Sequence, residues 1–249
     1  MTRKYPGAKW RPITNNYTNR TRTRTRAVVL HVAASNSDSL QDFFNRPNTN
    51  ASSHFYVTKS GEVQQYVDAD LIAWTSGDGN STTVGIETEG LGTGTWTKAQ
   101  YKSIVNLVAW LCKIYDIPAK EMKNSRSTSV GIGTHRLGVN GNFPLVGVQR
   151  GRIQRGGGEL WSSTTGKACP GNDRQKQWPN LVKDVAKALT PVLPKPGNYV
   201  VSSATNGTNP PRLLGYSQPS TQAKVKTRRK VGQKLWIAKF ITSGETIWG

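Results

Sequence analysis

Short apolar runs within the first 135 residues predict five β-strands. The runs lie near residues 26–33, 54–59, 62–67, 84–89 and 130–135. Their length and their polar boundaries are typical of strands. The second and third runs are joined by Ser60-Gly61, a dipeptide that favours the tight turn of a β-hairpin.

Two longer segments show the periodicity of amphipathic helices. The first is predicted to begin at Thr97, with Gln100 in the capping-box position, and to end near Tyr115. The second is predicted to begin with Pro179 as its first helical residue. Each has one apolar face, formed by positions 104, 107, 108, 111 and 114 in the first and by Leu181, Val182, Val185, Ala188 and Leu189 in the second. Strands mixed with helices indicate an α/β domain in which helices cover a sheet.

The chain of 249 residues has room for one hydrophobic core and a small appendage. A Pro-Lys-Pro-Gly segment at 194–197 is typical of a linker. We therefore predict a domain over 1–193 with a basic N-terminal segment, a linker over 194–211 and a basic module over 212–249. Residues 232–235 and 244–248 are similar to part of a bacterial SH3-like wall-binding domain, so the last segment is expected to be a small and incomplete β module.

Positive charge is concentrated at the two ends of the chain. The net charge is +20, of which residues 1–26 and residues 195–249 contribute +8 each. Basic ends would concentrate a protein on a polyanion. The alternative interpretation is that these charges only keep the surface soluble. Thr21 to Arg26 alternate threonine with arginine, which would place the arginines on one face of an extended segment. A nucleic-acid binder is a rival interpretation, although the chain has no recognisable nucleic-acid motif.

Two histidines and one cysteine are candidate metal ligands. His31 ends the apolar run 27–30, His135 follows the run 131–134, and Cys169 lies in the segment Gly-Lys-Ala-Cys-Pro-Gly at 166–171. Such a set can hold zinc and leave a fourth position for water. The spacing alone leaves ordinary core roles open for each residue, and a disulfide between Cys112 and Cys169 would abolish the site. Cys112 lies in the first predicted helix, where it is interpreted as a small core hydrophobe.

The order of these segments resembles a known enzyme family. The strand ending in His31, the Ser-x-His-Phe hairpin at 52–55, the Gly-Ile-Glu-x-Glu-Gly strand at 85–90, the Thr-His pair at 134–135 and the Lys-x-Cys-Pro-Gly segment at 167–171 occur in this order. They resemble the zinc-dependent N-acetylmuramoyl-L-alanine amidases and peptidoglycan recognition proteins over about residues 24–190. The resemblance implies a mixed central β-sheet flanked by helices, one zinc ion held by His31, His135 and Cys169, and hydrolysis of the amide between N-acetylmuramic acid and L-alanine.

The resemblance also implies roles for two further residues. Glu87 is expected to be the general acid–base group, with Glu89 as the alternative because strand side chains two residues apart share a face. Lys167 is expected to stabilise the oxyanion. His54 is interpreted as structural. Two positions depart from the family: Ser53 replaces a tyrosine that is catalytic in phage lysozyme-type members, and Thr75 replaces the histidine of a Trp-His-x-Gly motif.

These observations favour a monomeric phage-type endolysin that acts on bacterial peptidoglycan and binds anionic wall polymers. No segment has the pattern of a signal peptide or a transmembrane helix. We therefore expect the protein to stay in the host cytoplasm until it is released to the cell wall, without inserting into the membrane. The alternatives are a non-catalytic peptidoglycan-binding protein of the same fold and, with less support, the nucleic-acid binder.

Overall fold

The computed structural model describes residues 3–140 and 158–190, together with the backbone of residues 224–225 and 246–247. The chain divides into two compact units, Met1–Thr190 and Pro191–Gly249. The described part of the first unit contains eight strands: β1 (Ala8–Trp10), β2 (Tyr17–Thr18), β3 (Ala27–Leu30), β4 (Phe55–Val57), β5 (Val63–Gln65), β6 (Ile72–Ala73), β7 (Thr83–Thr88) and β8 (Gly131–Thr134). It also contains three α-helices: α1 (Gln41–Asn45), α2 (Lys98–Tyr115) and α3 (Asn172–Leu189).

A six-stranded mixed sheet forms the centre of this unit, in the order β1-β5-β4-β7-β3-β8. Strands β4, β7, β3 and β8 are parallel to one another, β5 is antiparallel to β4, and β1 is parallel to β5. The β4–β5 pair is the predicted hairpin. Its turn residue Gly61 has a φ of +90°, a conformation that glycine adopts without steric cost. The prediction of a mixed α/β sheet is confirmed.

Apolar strands and helix faces meet in one core. The side chains of β3 are fully buried, as expected for a parallel strand that is covered on both faces. They pack with the apolar face of α2, where Ile104, Leu107, Val108 and Leu111 are fully buried. From α3, Trp178, Leu181, Val182 and Val185 join the same core. The five predicted strands all lie within this framework.

Helix α2 begins as predicted, but only half of its capping box forms. The Thr97 hydroxyl accepts the backbone N–H of Gln100 at 3.1 Å, which satisfies one of the free donors at the helix start. The Gln100 side chain does not accept the backbone N–H of Thr97, as it would in a complete capping box. It donates instead to the carbonyls of Val57 and Glu89, each at 3.0 Å. The side chain thereby links the helix start to the ends of β4 and β7.

The start predicted for the last helix is wrong. Helix α3 begins at Asn172, and Pro179 lies in its interior rather than at its first position. Proline costs a helix the bond that its missing N–H would donate to the carbonyl four residues earlier. Packing outweighs this cost because Arg174, Gln175 and Trp178 are buried before the proline, as Leu181 and Val182 are after it.

The arginines of the alternating segment do not share one exposed face. Arg24 is exposed, whereas Arg22 and Arg26 are 8% and 2% exposed. Arg22 donates to the carbonyls of Ala69 and Leu71. Arg26 pairs with Glu159, with its Nη2 2.5 Å from Oε2. The segment turns inward because these guanidinium groups satisfy buried acceptors, so two of the eight N-terminal cations are structural.

The second unit is described by two short strands, β9 (Lys224–Val225) and β10 (Thr246–Ile247), which pair in parallel. The linker predicted over 194–211 and most of the module predicted over 212–249 lie outside the described residues, so these boundaries stay predictions. Residues 141–157 also lie outside the described residues. Among the helices that the structure describes, none combines the length and the apolar character needed to cross a membrane.

Candidate active site

The parallel pairing of β3 with β8 brings the two candidate histidines together. Leu30 at the end of β3 is paired with Thr134 at the end of β8. The next residue on each strand is a histidine, so both rings leave the sheet at the same edge. The ring centroids of His31 and His135 are 4.4 Å apart, and both side chains are buried.

Cys169 completes the cluster from the segment that precedes α3. Its Sγ accepts the backbone N–H of Val32 at 3.2 Å, and its carbonyl accepts the backbone N–H of Arg136 at 3.0 Å. These bonds fasten the cysteine to the residues that follow His31 and His135. One ligand atom from each of the three residues lies within 4.8 Å of the other two. The three residues that the sequence singled out are therefore brought together.

The donor set fits a zinc ion. His135 Nε2 is 2.8 Å from the carbonyl oxygen of Trp161, which can only accept, so this nitrogen carries the proton. The other nitrogen, Nδ1, is buried and has no hydrogen-bond partner among the described residues. Its lone pair is thus free for a metal. Two imidazole nitrogens and one sulfur are ligands typical of zinc.

Burial keeps both imidazoles neutral, as metal ligands must be. It lowers the pKa of His135 to about 4 and that of His31 well below its ordinary value, and the positive charge of Lys167 acts in the same direction on both. Burial also raises the pKa of the Cys169 thiol to about 12, an effect that the Val32 N–H, Lys167 and Arg136 oppose. Cys112 and Cys169 are free cysteines, so the rival disulfide does not form.

The two candidate carboxylates have different surroundings. Glu87 Oε1 lies 3.8 Å from His31 Nδ1, and Glu87 Oε2 is buried without a hydrogen-bond partner in the described residues. Burial raises the pKa of Glu87 to about 7, and the charge of Lys167 partly opposes this shift. Glu89 lies one residue beyond the end of β7, and its Oε2 accepts the backbone N–H of Lys59 at 2.7 Å. Glu87 therefore faces the cluster, whereas Glu89 is bonded to the hairpin.

Lys167 and His54 lie in contrasting positions. Lys167 is exposed, and its positive charge lowers the pKa of His31, His135, Glu87 and Cys169, against the larger effect of burial on the last two. His54 is fully buried; its Nδ1 accepts the Gly85 backbone N–H at 3.1 Å, and its Nε2 lies 2.7 Å from Nη1 of Arg22. These contacts are structural and do not include the cluster, in agreement with the prediction for His54.

A family model and several known proteins match this chain. The family model described as N-acetylmuramoyl-L-alanine amidase matches residues 21–172, which is more than half of the chain and includes His31, Glu87, His135, Lys167 and Cys169. The chain belongs to the N-acetylmuramoyl-L-alanine amidase family. A curated relative, N-acetylmuramoyl-L-alanine amidase A of Achromobacter lyticus, is 27% identical over 108 residues, which are 42% of this chain. The match spans 61% of that relative's length, somewhat less than two thirds.

Two solved structures of similar proteins accompany the family match. One is the N-acetylmuramoyl-L-alanine amidase LysC from Clostridium intestinale, with a TM-score of 0.46 and 15% identity, covering 72% of this chain and 97% of that one. The other is the Staphylococcus aureus hydrolase AmiA in complex with its ligand, with a TM-score of 0.47 and 14% identity, covering 76% of this chain and 98% of that one.

The two positions at which this amidase-family chain departs from the expected pattern are both packed against β7. The Ser53 hydroxyl is fully buried and lies within hydrogen-bond distance of the carbonyls of Phe55 and Gly85, at 2.8 and 3.0 Å. Thr75 lies so close to Gly85 that a Cβ at that glycine would collide with its side chain. Neither side chain is among the groups that contact the His-His-Cys cluster in the described structure.

Three residues that adjoin the ligands in this amidase-family site were missed by sequence reasoning. Trp161 contributes the carbonyl that holds His135, and the Ser76 hydroxyl lies 3.5 Å from His31 Nε2. Arg136 is fully buried and donates to the carbonyl of Ala168, next to Cys169. Trp161 and Ser76 reach the cluster only through tertiary contacts, so no sequence pattern marks them. The one available signal was the position of Arg136 directly after His135.

Proposed function

We propose that this protein is a zinc-dependent N-acetylmuramoyl-L-alanine amidase that hydrolyses the amide between the lactyl group of N-acetylmuramic acid and L-alanine in peptidoglycan. The observation that carries the proposal is the juxtaposition of three buried ligand residues, with one ligand atom of each within 4.8 Å of the other two, and of the Glu87 carboxylate 3.8 Å from Nδ1 of His31. Family membership supports the same substrate class. His31, His135 and Cys169 would hold the zinc ion.

Zinc, when bound, would polarise the amide carbonyl and increase the acidity of water. The remaining steps belong to side chains of this chain. Glu87 is placed to accept a proton from the attacking water and to deliver it to the leaving nitrogen, because its Oε2 has no other partner within the described residues. The buried Oε2 is shielded from bulk water, which would otherwise compete for that proton. An amide needs such a donor because its amine is a poor leaving group.

Lys167 is the proposed stabiliser of the negative charge that develops on the carbonyl oxygen. Its positive charge acts on the three ligand residues and on Glu87, and its side chain is exposed. A cation near the ligands can stabilise the substrate oxyanion without itself binding the metal. Glu89 is the less suitable acid–base candidate, because its Oε2 already accepts the Lys59 backbone N–H.

The biological role that we propose is that of a phage endolysin. The basic ends support it, since a soluble muropeptide substrate needs no cationic tail, whereas an anionic wall attracts one. Peptidoglycan and anionic wall polymers are the proposed partners, and the expected setting is the host cytoplasm before release to the wall. A monomer suffices for the chemistry because one chain supplies every proposed site residue.

Digestion of purified peptidoglycan tests the reaction. An amidase releases new L-alanine amino groups and no new reducing sugars. New reducing sugars without new amino groups would identify a glycosidase and refute the assignment. Binding to peptidoglycan with neither product, by zinc-loaded protein, would instead favour the non-catalytic recognition protein. Tight binding to DNA or RNA, with no affinity for the wall, would favour the nucleic-acid binder.

A further inference from the structure

The residue that orients His135 belongs to a short segment held tightly beside it. The Trp161 carbonyl accepts His135 Nε2–H at 2.8 Å, and the Trp161 backbone N–H donates to the carbonyl of Gly138 at 2.6 Å. The 3-10 turn His135–Gly138 is therefore bonded to Trp161 at both of its ends. The position of one backbone carbonyl thus determines which nitrogen of His135 carries the proton.

The indole ring of Trp161 fixes the position of that carbonyl. The side chain is 2% exposed and lies in a slot between Gly138 and Gly79, where a Cβ at either glycine would collide with the ring. Its Nε1–H donates to Oε2 of Glu159 at 3.0 Å. The ring can neither slide nor turn over without breaking this bond.

Glu159 is in turn fastened to the start of β3. The same Oε2 lies 2.5 Å from Nη2 of Arg26, which is 2% exposed. Arg26 also donates to the Thr82 hydroxyl and to the Ser129 carbonyl, at 3.0 and 2.7 Å. A carboxylate that accepts two donors, one of them a buried cation, is held in one orientation.

We propose that Glu159 is a positioning residue for His135 and acts through the Trp161 indole. The inference rests on the proposed zinc function. A neutral imidazole has two tautomers, and only the one with the proton on Nε2 leaves a lone pair on Nδ1, the buried nitrogen without a hydrogen-bond partner among the described residues. Glu159 holds Trp161, the Trp161 carbonyl selects this tautomer, and His135 is presented ready to bind the metal. Such outer partners of a ligand contribute about 10–100-fold to metal affinity.

Four single variants of the full-length chain, and one double variant that combines Glu159→Ala with Trp161→Phe, test the proposal by two measurements. Glu159→Ala and Trp161→Phe both remove the indole–carboxylate bond, whereas Glu159→Gln retains an acceptor oxygen for it. Trp178→Phe is the matched control, because it makes the same ring change at a buried tryptophan whose Nε1 has no partner in the described residues. The tautomer of His135 is read from side-chain ¹⁵N shifts of metal-free protein. Zinc affinity is measured by competition with a chelator.

The expected result is a pure Nε2–H tautomer in the wild type and in Trp178→Phe. Glu159→Ala and Trp161→Phe should give a mixture of tautomers and bind zinc about 10–100-fold more weakly. The double variant should lose no more zinc affinity than the weaker-binding single variant, because both substitutions remove the same indole–carboxylate interaction. Glu159→Gln should recover most of the affinity.

Two results would overturn the proposal. One is a Glu159→Ala protein that is less heat-stable yet keeps the wild-type tautomer and zinc affinity, which would make Glu159 merely structural. The other is an equal shift in Trp178→Phe, which would show a general effect of destabilisation. If Glu159→Ala does not fold, Trp161→Phe carries the same test. The tautomer is measured on metal-free protein and does not depend on activity. A wild-type protein that fails to cleave peptidoglycan would therefore refute the proposed function without deciding whether Glu159 positions His135.

Discussion

Glu87 Oε1 lies 3.8 Å from Nδ1 of His31, at the point where the parallel strands β7 and β3 end side by side. On the β7 side, the neighbour of His31 is therefore not an apolar side chain but a carboxylate whose Oε2 has no hydrogen-bond partner among the described residues. This relationship distinguishes Glu87 from Glu89, which is two residues further on and bonded to Lys59. The predictions below test this contact and the groups around it.

Replacing Glu87 by glutamine should keep the fold and the zinc content but lower turnover by about 10²–10⁴-fold, the usual contribution of general acid–base catalysis. Glu89→Gln is the matched control and should be much milder, because the amide oxygen can still accept the Lys59 N–H. Steady-state kinetics on purified peptidoglycan compare the two. Equal loss in both variants, or a greater loss in Glu89→Gln, would show that the assignment is wrong.

Cys169→Ala should lose zinc and activity together, because two imidazoles alone leave the ion with too few protein ligands. Cys112→Ala serves as the control: this buried thiol lies in α2 and belongs to the core, so its loss should reduce stability without affecting the metal. The zinc content of both variants is measured by mass spectrometry, and their peptidoglycan hydrolysis is assayed in parallel. A full complement of zinc in Cys169→Ala contradicts the ligand assignment.

Lys167→Ala should retain the metal and lose about 10²–10³ in kcat, as for removal of one oxyanion stabiliser. The loss should be mainly in kcat rather than in KM, since the charge on the oxygen develops only in the transition state. Lys98→Ala removes an equally exposed lysine at the start of α2 and should have no such effect. A rise in KM with an unchanged kcat would indicate instead that Lys167 binds the substrate in its ground state.

Deleting residues 195–249 should weaken binding to whole walls and spare cleavage of a small soluble muropeptide. The reason is that all proposed site residues lie between His31 and Cys169, whereas the deleted segment carries a charge of +8. Binding by the full chain should also fall with salt, because the Debye length shrinks from about 10 Å at 0.1 M to about 3 Å at 1 M. The measurement is a pull-down on walls with and without their anionic polymers. Equal, salt-insensitive binding to both would refute the electrostatic account and favour a sugar-reading module.

Pro179→Ala should stabilise the protein. Alanine restores an N–H that can bond to the carbonyl of Gln175, four residues earlier in α3. We expect a gain of about 1–2 kcal/mol in the free energy of unfolding, less than the full interior penalty of about 3 kcal/mol because the native helix already accommodates the ring. Urea unfolding measures the change, with Pro118→Ala, outside any helix, as the control. A loss of stability would mean that packing of the proline ring dominates.

Local pattern determined most of the secondary structure. The five strands, the Ser60-Gly61 hairpin and the start of α2 at Thr97 follow from interactions within a few residues, namely side-chain alternation, turn geometry and capping. The start of α3 could not be predicted from local pattern, because a proline such as Pro179 is locally favoured at the first position of a helix. The burial of Trp178 on one side and Leu181 on the other outweighs that preference.

The sequence by itself also determined the candidate ligands and acid–base groups, since His31, His135, Cys169 and Glu87 stand in motifs that resemble an enzyme family. Only the tertiary structure decided how they meet. The parallel register of β3 with β8 aligns two histidines 104 positions apart, and the end of β7 at Thr88 leaves Glu87 and Glu89 in different surroundings. The groups around the ligands, among them the Trp161 carbonyl and the Glu159–Arg26 pair, were not visible in the sequence. Their positions depend on contacts between distant segments, and such contacts leave no local pattern.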